Sequence, residues 1–382
     1  MIQRPSYIKK LKTAIKRAPV VSLLGPRQCG KTTLARFLEK KYQAVFFDLE
    51  SPQDQMRLQN PELTLGALEG LVIIDEIQIM PELFGILRVL VDRAENKTKF
   101  LILGSASPHI IKNVSETLAG RTEFIELAGF DYIETGEDRD SINTLWLRGS
   151  FPRSYLSDSL EDSLAWREGF IRTFLERDIP QLGITIPAIA MRRFWTMLAH
   201  YHGQTLNLSE IGRSLGVSDK TIRSYLDILT GTYMMRQLLP WHENTGKRQV
   251  KAPKIYFRDV GILHSLLAVT DMDSLMVNPR LGASWEGFAL EQTLRILQPA
   301  DVYFWATYSG AELDLLFFRN GKRYGIEFKF NESPKLTKSM RIAVKDLNLT
   351  HLWVVHPGKH AFPVEKQISM LPLHQIKINR MV

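Results

Sequence analysis

Short apolar runs at 20–24, 45–49, 71–74, 100–103 and 124–127 alternate with stretches of helical periodicity over the first third of the chain. Runs of that length, bounded by polar turns, suit buried strands, and their alternation with helices predicts an open, parallel α/β sheet. Between 151 and 200 the texture turns helical and rich in charge, with Trp166, Phe170, Phe174 and Leu175 spaced for one buried face. A compact helix-turn-helix pattern occupies 206–229. Beyond about 280 the α/β texture returns: a helix is predicted over 284–297, and strands at 301–307, 313–318, 323–330 and 351–355. The expected parts are therefore 1–150, 151–200, 201–275 and 276–382.

Composition narrows the class. Of 382 residues, 45% are hydrophobic and 24% charged, as in an ordinary globular protein, and the formal net charge of +8 weakly favours an anionic partner. The single cysteine, Cys29, excludes a disulfide within the chain and a Cys-based zinc site, and it points to a reducing, cytoplasmic setting. Lys9, Lys10, Lys12, Lys16 and Arg17 make the start basic, but the apolar run that follows at 19–24 is too short for a signal peptide. No stretch of eighteen uncharged apolar residues occurs, so no membrane span is expected.

Gly25-Pro26-Arg27-Gln28-Cys29-Gly30-Lys31-Thr32 fits the phosphate-loop pattern G-x-x-x-x-G-K-[ST] without a mismatch. It sits where such a loop belongs, between an apolar strand and an amphipathic stretch beginning at Thr33. Glycines let the backbone wrap round phosphates, and the helix N-terminus supplies oriented N–H donors. Positions 25–33 are thus the expected ATP contacts. Lys31 should reach the β- and γ-phosphates, and the Thr32 hydroxyl should take a place on Mg²⁺. Leu71-Val72-Ile73-Ile74-Asp75-Glu76 is the matching second element. Its strand delivers Asp75 to its carboxyl end as a metal partner, with Glu76 placed to polarise the attacking water. In Phe100-Leu101-Ile102-Leu103-Gly104-Ser105-Ala106-Ser107 a further central strand would end at Ser105, with Ser107 close behind, near the γ-phosphate. The alternative is a serine that caps the next helix.

Together with Asp75-Glu76-Ile77-Gln78, Gly104-Ser105 and Leu118-Ala119-Gly120-Arg121, these motifs resemble the AAA-type P-loop ATPases of bacteria and archaea that carry a conserved C-terminal domain of unknown function. The resemblance extends over nearly the whole chain, including Gly-Ser-Phe-Pro at 149–152 and Leu-Glu-Arg-Asp at 175–178. It implies an AAA-like core over 1–150 and a helical lid over 151–200. It also implies that Arg121 holds the place of an arginine finger acting on a neighbouring subunit's nucleotide, and hence a homo-oligomer. A plain surface arginine at a helix end is the other reading. Cys29 falls at a variable position of the loop and is assigned no chemistry.

The segment 206–229 reads as a winged helix. Ser209 and Ser218 are candidate caps, Gly216 the turn, and Ile211, Leu215, Val217, Ile222, Leu226 and Leu229 a small core. Lys220, Thr221 and Arg223 on the second helix are the candidate DNA contacts. From Lys220 to Arg258 eight Lys or Arg stand against two Asp or Glu, which suits a wing lying on a DNA backbone. Winged helices also serve as packing modules.

Finally, Gly310-Ala311-Glu312-Leu313-Asp314-Leu315-Leu316 precedes Tyr324-Gly325-Ile326-Glu327-Phe328-Lys329-Phe330. Glu327 and Lys329, two apart on a strand, share a face, and Asp314 on the preceding strand can join them. Two carboxylates suit Mg²⁺, and a lysine beside them can steady developing charge. The pattern is similar to the restriction-endonuclease-like PD-(D/E)xK fold, except that Leu313 stands where the motif usually has proline. That resemblance implies a further acid on the preceding helix, Glu286 or Glu291, with Glu286 preferred. The expected protein is a cytoplasmic, Mg²⁺-dependent ATPase whose winged helix and nuclease-like α/β domain act on DNA. The alternative is an ATP-driven switch for a protein partner, with the last two domains as a scaffold.

Overall fold

The computed structural model describes residues 2–105, 114, 116–181, 186–243 and 249–377. Two compact units result, Met1–Gly129 with Gly231–Tyr233, and Phe130–Thr230 with Met234–Val382. Ser107, and most of the helix expected after Ser105, lie outside the described residues, while Val114, Glu116 and Thr117 are helical.

The first unit is built on strands β1 (Val20–Gly25), β2 (Val45–Asp48), β3 (Gly70–Asp75), β4 (Thr98–Ser105) and β5 (Thr122–Glu126). All pair in parallel, in the order β2-β3-β4-β1-β5. The expected additional strand is therefore present, since β4 lies between β1 and β3. Parallel strands are covered on both faces, which is why the apolar runs are continuous rather than alternating. Phe100 and Ile102 join one core cluster with the Leu83–Val91 helix, while Leu101 and Leu103 join the other with the helices Pro5–Arg17 and Lys31–Tyr42.

In the second unit an aromatic row runs through Phe151, Trp166, Phe170, Phe174 and Trp195, with neighbouring ring centroids between 4.8 and 6.2 Å apart. This is the buried face expected of 151–200. Next come β6 (Gln204–Thr205), the helices Leu208–Leu215 and Asp219–Gly231, β7 (Met235–Leu238) and β8 (Lys254–Phe257), with the sheet order β6-β8-β7. The Ser218 hydroxyl accepts from the Thr221 N–H at 3.2 Å, and Gly216 turns with φ of 70°. Ser209 is not the cap expected: Asn207 accepts from the Glu210 N–H, and the Ser209 hydroxyl donates instead to Asp219 Oδ2 at 2.6 Å.

The last sheet contains β9 (Val302–Ala306), β10 (Glu312–Arg319), β11 (Lys322–Phe328), β12 (His351–His356), β13 (Phe362–Glu365) and β14 (Ile368–Pro372), in the order β13-β14-β12-β11-β10-β9. β9, β10 and β11 are antiparallel, whereas β11–β12 and β12–β14 are parallel. The helix Leu281–Leu297 precedes the sheet and Lys338–Asp346 crosses between β11 and β12.

Among the described residues, the chain on either side of 244–248 does not stand free of the rest of the unit. Phe304 N–H donates to Leu239 O at 3.0 Å, Trp241 N–H to Phe304 O at 2.7 Å, and Val250 N–H to Ala306 O at 3.1 Å, so both arms dock on β9. Three of the basic residues counted for a DNA-facing wing point inward as well. Arg236 and Arg258 pair with Glu291, and Lys254 pairs with Glu286, Glu312 and Asp314. The charge excess of 220–258 is thus partly internal, because buried carboxylates need those cations. Lys220 and Arg223 remain exposed.

Candidate functional site

In the first unit the phosphate loop leaves β1 at its carboxyl end and enters the Lys31–Tyr42 helix through Gly30, whose φ of 99° suits glycine and aims the helix N-terminus into the loop. Gln28 is also left-handed, at φ 62°. The Lys31 ammonium, almost wholly buried, donates to Gly25 O at 3.1 Å and Pro26 O at 2.9 Å, so the loop itself fixes the cation. Cys29 points into the core, where burial pushes its thiol up, and it offers the loop only backbone. Arg27 pairs with Glu50 at 3.1 Å, and Thr33 is exposed.

Asp75 ends β3 beside this loop. The Thr32 hydroxyl donates to Asp75 Oδ2 at 2.7 Å, and the Glu76 N–H donates to Asp75 Oδ1 at 3.0 Å. Burial raises the Asp75 carboxyl above the ordinary range, against the Thr32 hydroxyl, which stabilises its charged form. Glu76 follows in a left-handed conformation, φ 54°, and its carboxylate accepts from the Gln78 amide. Gln78, which holds the Glu76 carboxylate, is legible in the sequence only as part of a resemblance. Ser105 Oγ, at the end of β4, is a buried hydroxyl with no hydrogen-bond partner among the described residues. A hydroxyl and carboxylate one hydrogen bond apart, a fixed ammonium and an unsatisfied hydroxyl form a donor set that fits a Mg²⁺–nucleotide.

Arg121 is elsewhere. Its main-chain oxygen accepts from the Val20 N–H, at the start of β1, whereas the phosphate loop leaves that strand at Gly25. Five residues of strand separate the two edges by roughly 17 Å. The guanidinium is held two-pronged by Asp92, at 2.7 Å to each oxygen. Within the chain Arg121 does not reach the phosphate loop.

In the second unit, β10, β11 and the Leu281–Leu297 helix bring Asp314, Glu327, Lys329 and Glu286 together. Asp314 Oδ2 accepts from the Phe328 N–H at 3.0 Å, and Lys329 pairs with Glu327 at 2.7 Å. Glu286, rather than Glu291, joins the cluster. Glu291 is taken by Arg236 and Arg258, whose charges hold its carboxyl down at about 2 despite burial. Burial, with Asp314 alongside, pushes Glu286 up to about 7 and Glu327 up to about 8. Burial alone would lower Lys329, but Glu327 and Asp314 raise it. The residues that sequence reading missed are Lys254 and Tyr256 on β8 and Glu312 on β10. The Lys254 ammonium lies 3.2 Å from Asp314 Oδ1 and 3.5 Å from Glu286 Oε1, and it also pairs with Glu312. The Tyr256 hydroxyl donates to Glu286 Oε1 at 2.6 Å. Their one sequence signal is two polar side chains alternating with Ile255 and Phe257 on a strand. Among the described residues no group of three or more His, Cys, Asp or Glu could hold a metal ion. The expected metal set of Asp314, Glu327 and Glu286 is therefore not assembled as these side chains stand, because an ammonium lies between Asp314 and Glu286.

The family model described as "AAA domain" matches residues 17–136, and two described as "Domain of unknown function", DUF8612 and DUF4143, match 139–273 and 281–376. "Uncharacterized protein Rv2008c" of Mycobacterium tuberculosis and "Uncharacterized protein Mb2031c" of Mycobacterium bovis are each 50% identical over 376 residues, covering 98% of this chain and 85% of theirs. The chain belongs to their family. Among solved structures, the Walker-type ATPase paby2304 of Pyrococcus abyssi shares the fold with a TM-score of 0.51 at 15% identity, over 70% of this chain and 96% of that one. The family's N-terminal part is thus an AAA-type P-loop NTPase domain, with β4 in the central position and the phosphate loop at its carboxyl edge. Among the described residues, no helix of this family member is long and apolar enough to cross a membrane.

Proposed function

We propose that the protein is a cytoplasmic, Mg²⁺-dependent ATP hydrolase whose turnover drives its second unit on DNA. The observation that carries the ATPase reading is the Thr32–Asp75 hydrogen bond beside the fixed Lys31 ammonium. In this reading Thr32 and Asp75 hold Mg²⁺, which neutralises phosphate charge. Lys31 binds the phosphates, Glu76 orients and deprotonates water, and Ser105 donates its free hydroxyl near the γ-phosphate. The DNA reading is supported by the element order β6, two helices, β7, β8 with sheet order β6-β8-β7, which is that of a winged helix. A nuclease-like ancestry of the last part is supported by the Leu281–Leu297 helix followed by three antiparallel strands carrying Asp314, Glu327 and Lys329. No cleavage step is derived, since Lys254 engages Asp314 and Glu286 as well as Glu312. That same engagement, with residues 239–241 and Val250 docked on β9, favours a second reading: an ATP-driven switch for a protein partner. The deciding experiment measures ATP turnover with and without single- and double-stranded DNA, alongside duplex binding at several salt concentrations. Stimulation with salt-dependent binding supports the first reading, and ATP turnover indifferent to DNA supports the second.

Two variants test parts of this. Arg121→Ala is expected to bind ATP normally and turn it over at least tenfold more slowly, because its guanidinium would serve a neighbour's nucleotide in a homo-oligomer. Mixing it with Lys31→Ala should restore part of the activity; a protein that stays monomeric with ATP bound would rule the trans role out. Reversing Lys220 and Arg223 together to Glu should weaken duplex binding and flatten its salt dependence, since fewer counterions are released. An unchanged salt slope would return these helices to packing.

A further inference from the structure

The basic start of the chain folds into the Pro5–Arg17 helix, whose charged residues are all Lys or Arg. Tyr7, Leu11, Ala14 and Ile15 bury one side of it in the same core cluster as Leu34, Ala35 and Leu38 of the Lys31–Tyr42 helix. Both helices therefore cover the same face of the first sheet, and their outer sides make one surface. Lys9, Lys12 and Lys16, spaced i, i+3 and i+7, line the side of the first helix away from that core. The second helix ends on Lys40 and Lys41. Neighbouring charges are already engaged: Glu123 holds Arg17, Lys10 lies 5.0 Å from the centre of the Tyr7 ring, and Arg36 pairs with Glu39 at 3.1 Å. Among the described residues, Lys9, Lys12, Lys16, Lys40 and Lys41 have no carboxylate at ion-pair distance. Lys12 instead meets Lys41, and that approach lowers it from the ordinary lysine value. Like charges side by side repel, and an anion between them removes the repulsion. Cations in a last turn complement the helix dipole, which accounts for Lys16, Lys40 and Lys41. It accounts neither for Lys9 and Lys12, which lie earlier, nor for the meeting of Lys12 with Lys41.

We propose that Lys9, Lys12, Lys16, Lys40 and Lys41 form a docking surface on the first unit for the phosphate backbone of duplex DNA. The inference rests on the reading that the protein acts on DNA, and it adds a contact independent of Lys220 and Arg223. A nucleotide in the phosphate loop is not the anion that fits here. Lys31 opens the second helix at that loop, and Lys41 lies ten residues further on, roughly 15 Å along the axis. Nor does an acidic membrane fit. A basic amphipathic helix lies on a bilayer by burying its apolar side among the lipids, and here that side is occupied by the protein core. A row of lysines facing solvent, with no apolar side to offer, is suited to phosphates that stay in water. The Lys31–Tyr42 helix thus runs from the phosphate loop at one end to the DNA-facing lysines at the other, so nucleotide and DNA contact share one rigid element.

The test measures duplex binding by the full-length protein at several salt concentrations, with Lys9→Gln, Lys12→Gln and Lys41→Gln combined. Glutamine is a good helix former, so the charge is removed without disturbing the helices. ATP turnover in the absence of DNA should stay unchanged, which reports an intact first unit. Duplex affinity should fall roughly tenfold or more at low salt, and the slope of log affinity against log salt should flatten by about 2 to 3, since each lost phosphate contact removes about 0.9. A second measurement needs no variant: acetylation of lysines in the unmodified protein, read by mass spectrometry. Bound duplex should protect Lys9, Lys12, Lys16, Lys40 and Lys41 several-fold and leave exposed Lys366 unchanged. A triple variant with the unmodified affinity and slope, or acetylation of these lysines unmoved by DNA, overturns the surface; if reversing Lys220 and Arg223 still weakens binding, the DNA reading stands without it. Capture by phosphatidylserine-containing vesicles that the triple variant loses, with duplex binding unaffected, assigns the lysines to a membrane and overturns the surface too. If the unmodified protein binds no duplex, the surface and the DNA reading fall together.

Discussion

Replacing Glu76 by Gln should leave ATP bound and slow its hydrolysis by about a hundredfold or more, the usual scale for losing a positioned general base. Replacing Lys31 by Ala should act at the earlier step. Its ammonium is pinned by the Gly25 and Pro26 carbonyls at the floor of the loop, so the positive charge is already in place when phosphates arrive. Losing one charged hydrogen bond of about 1.5–3 kcal/mol weakens nucleotide binding roughly 10- to 100-fold. The two variants are separated by a fluorescent-nucleotide titration followed by single-turnover hydrolysis. A Glu76→Gln protein that hydrolyses ATP at the unmodified rate would falsify the assignment of Glu76 as base. Neither change should alter tryptophan fluorescence on unfolding, because all seven tryptophans lie between 146 and 353, in the second unit.

That same reporter reads the second large effect. Asp259→Ala should destabilise the second unit by about 3 kcal/mol, seen as a lower urea midpoint in tryptophan fluorescence. Asp259 Oδ2 accepts from the Ser150 N–H at 2.6 Å and from the Ser150 hydroxyl at 2.8 Å, while Oδ1 accepts from the Ile262 N–H at 3.0 Å as the cap of the Val260–Leu266 helix. Removing the carboxylate strands three buried donors at once. Asp259→Asn should also lose stability, since its NH₂ would face donors rather than acceptors. The adjoining Gly261 approaches so closely that a Cβ there would lie 2.2 Å from Arg148 O, and Gly261→Ala should cost at least as much. An Asp259→Ala protein with an unchanged midpoint would sink this account. The Gly-Ser-Phe-Pro step at 149–152, visible in the sequence only as part of a resemblance, thereby acquires a physical reason: Ser150 is fastened to a residue 109 positions away.

What the sequence alone determined is local. The phosphate loop is legible because strand, turn and helix follow one another within a dozen residues, and because Gly30 and Lys31 act through backbone geometry and charge that any such turn would use. The strands of the first sheet, the turn at Gly216 and the cap at Ser218 are read the same way, from period and turn chemistry. Ser209 shows where this ends, since Asn207 and Asp219 compete for the same short-range roles. Only the tertiary structure decided that Arg121 grips Asp92, that Glu291 serves Arg236 and Arg258 while Glu286 faces Asp314, and that Lys254 lies on Asp314 across 60 residues of chain. A linear pattern states which face a side chain takes, through the periods of 2 and 3.6. It does not state which strand or helix will be packed against that face. Buried charges must find partners wherever packing brings them, so a lysine that reads in one dimension as part of a basic wing becomes, in three, the cation at the centre of a carboxylate site.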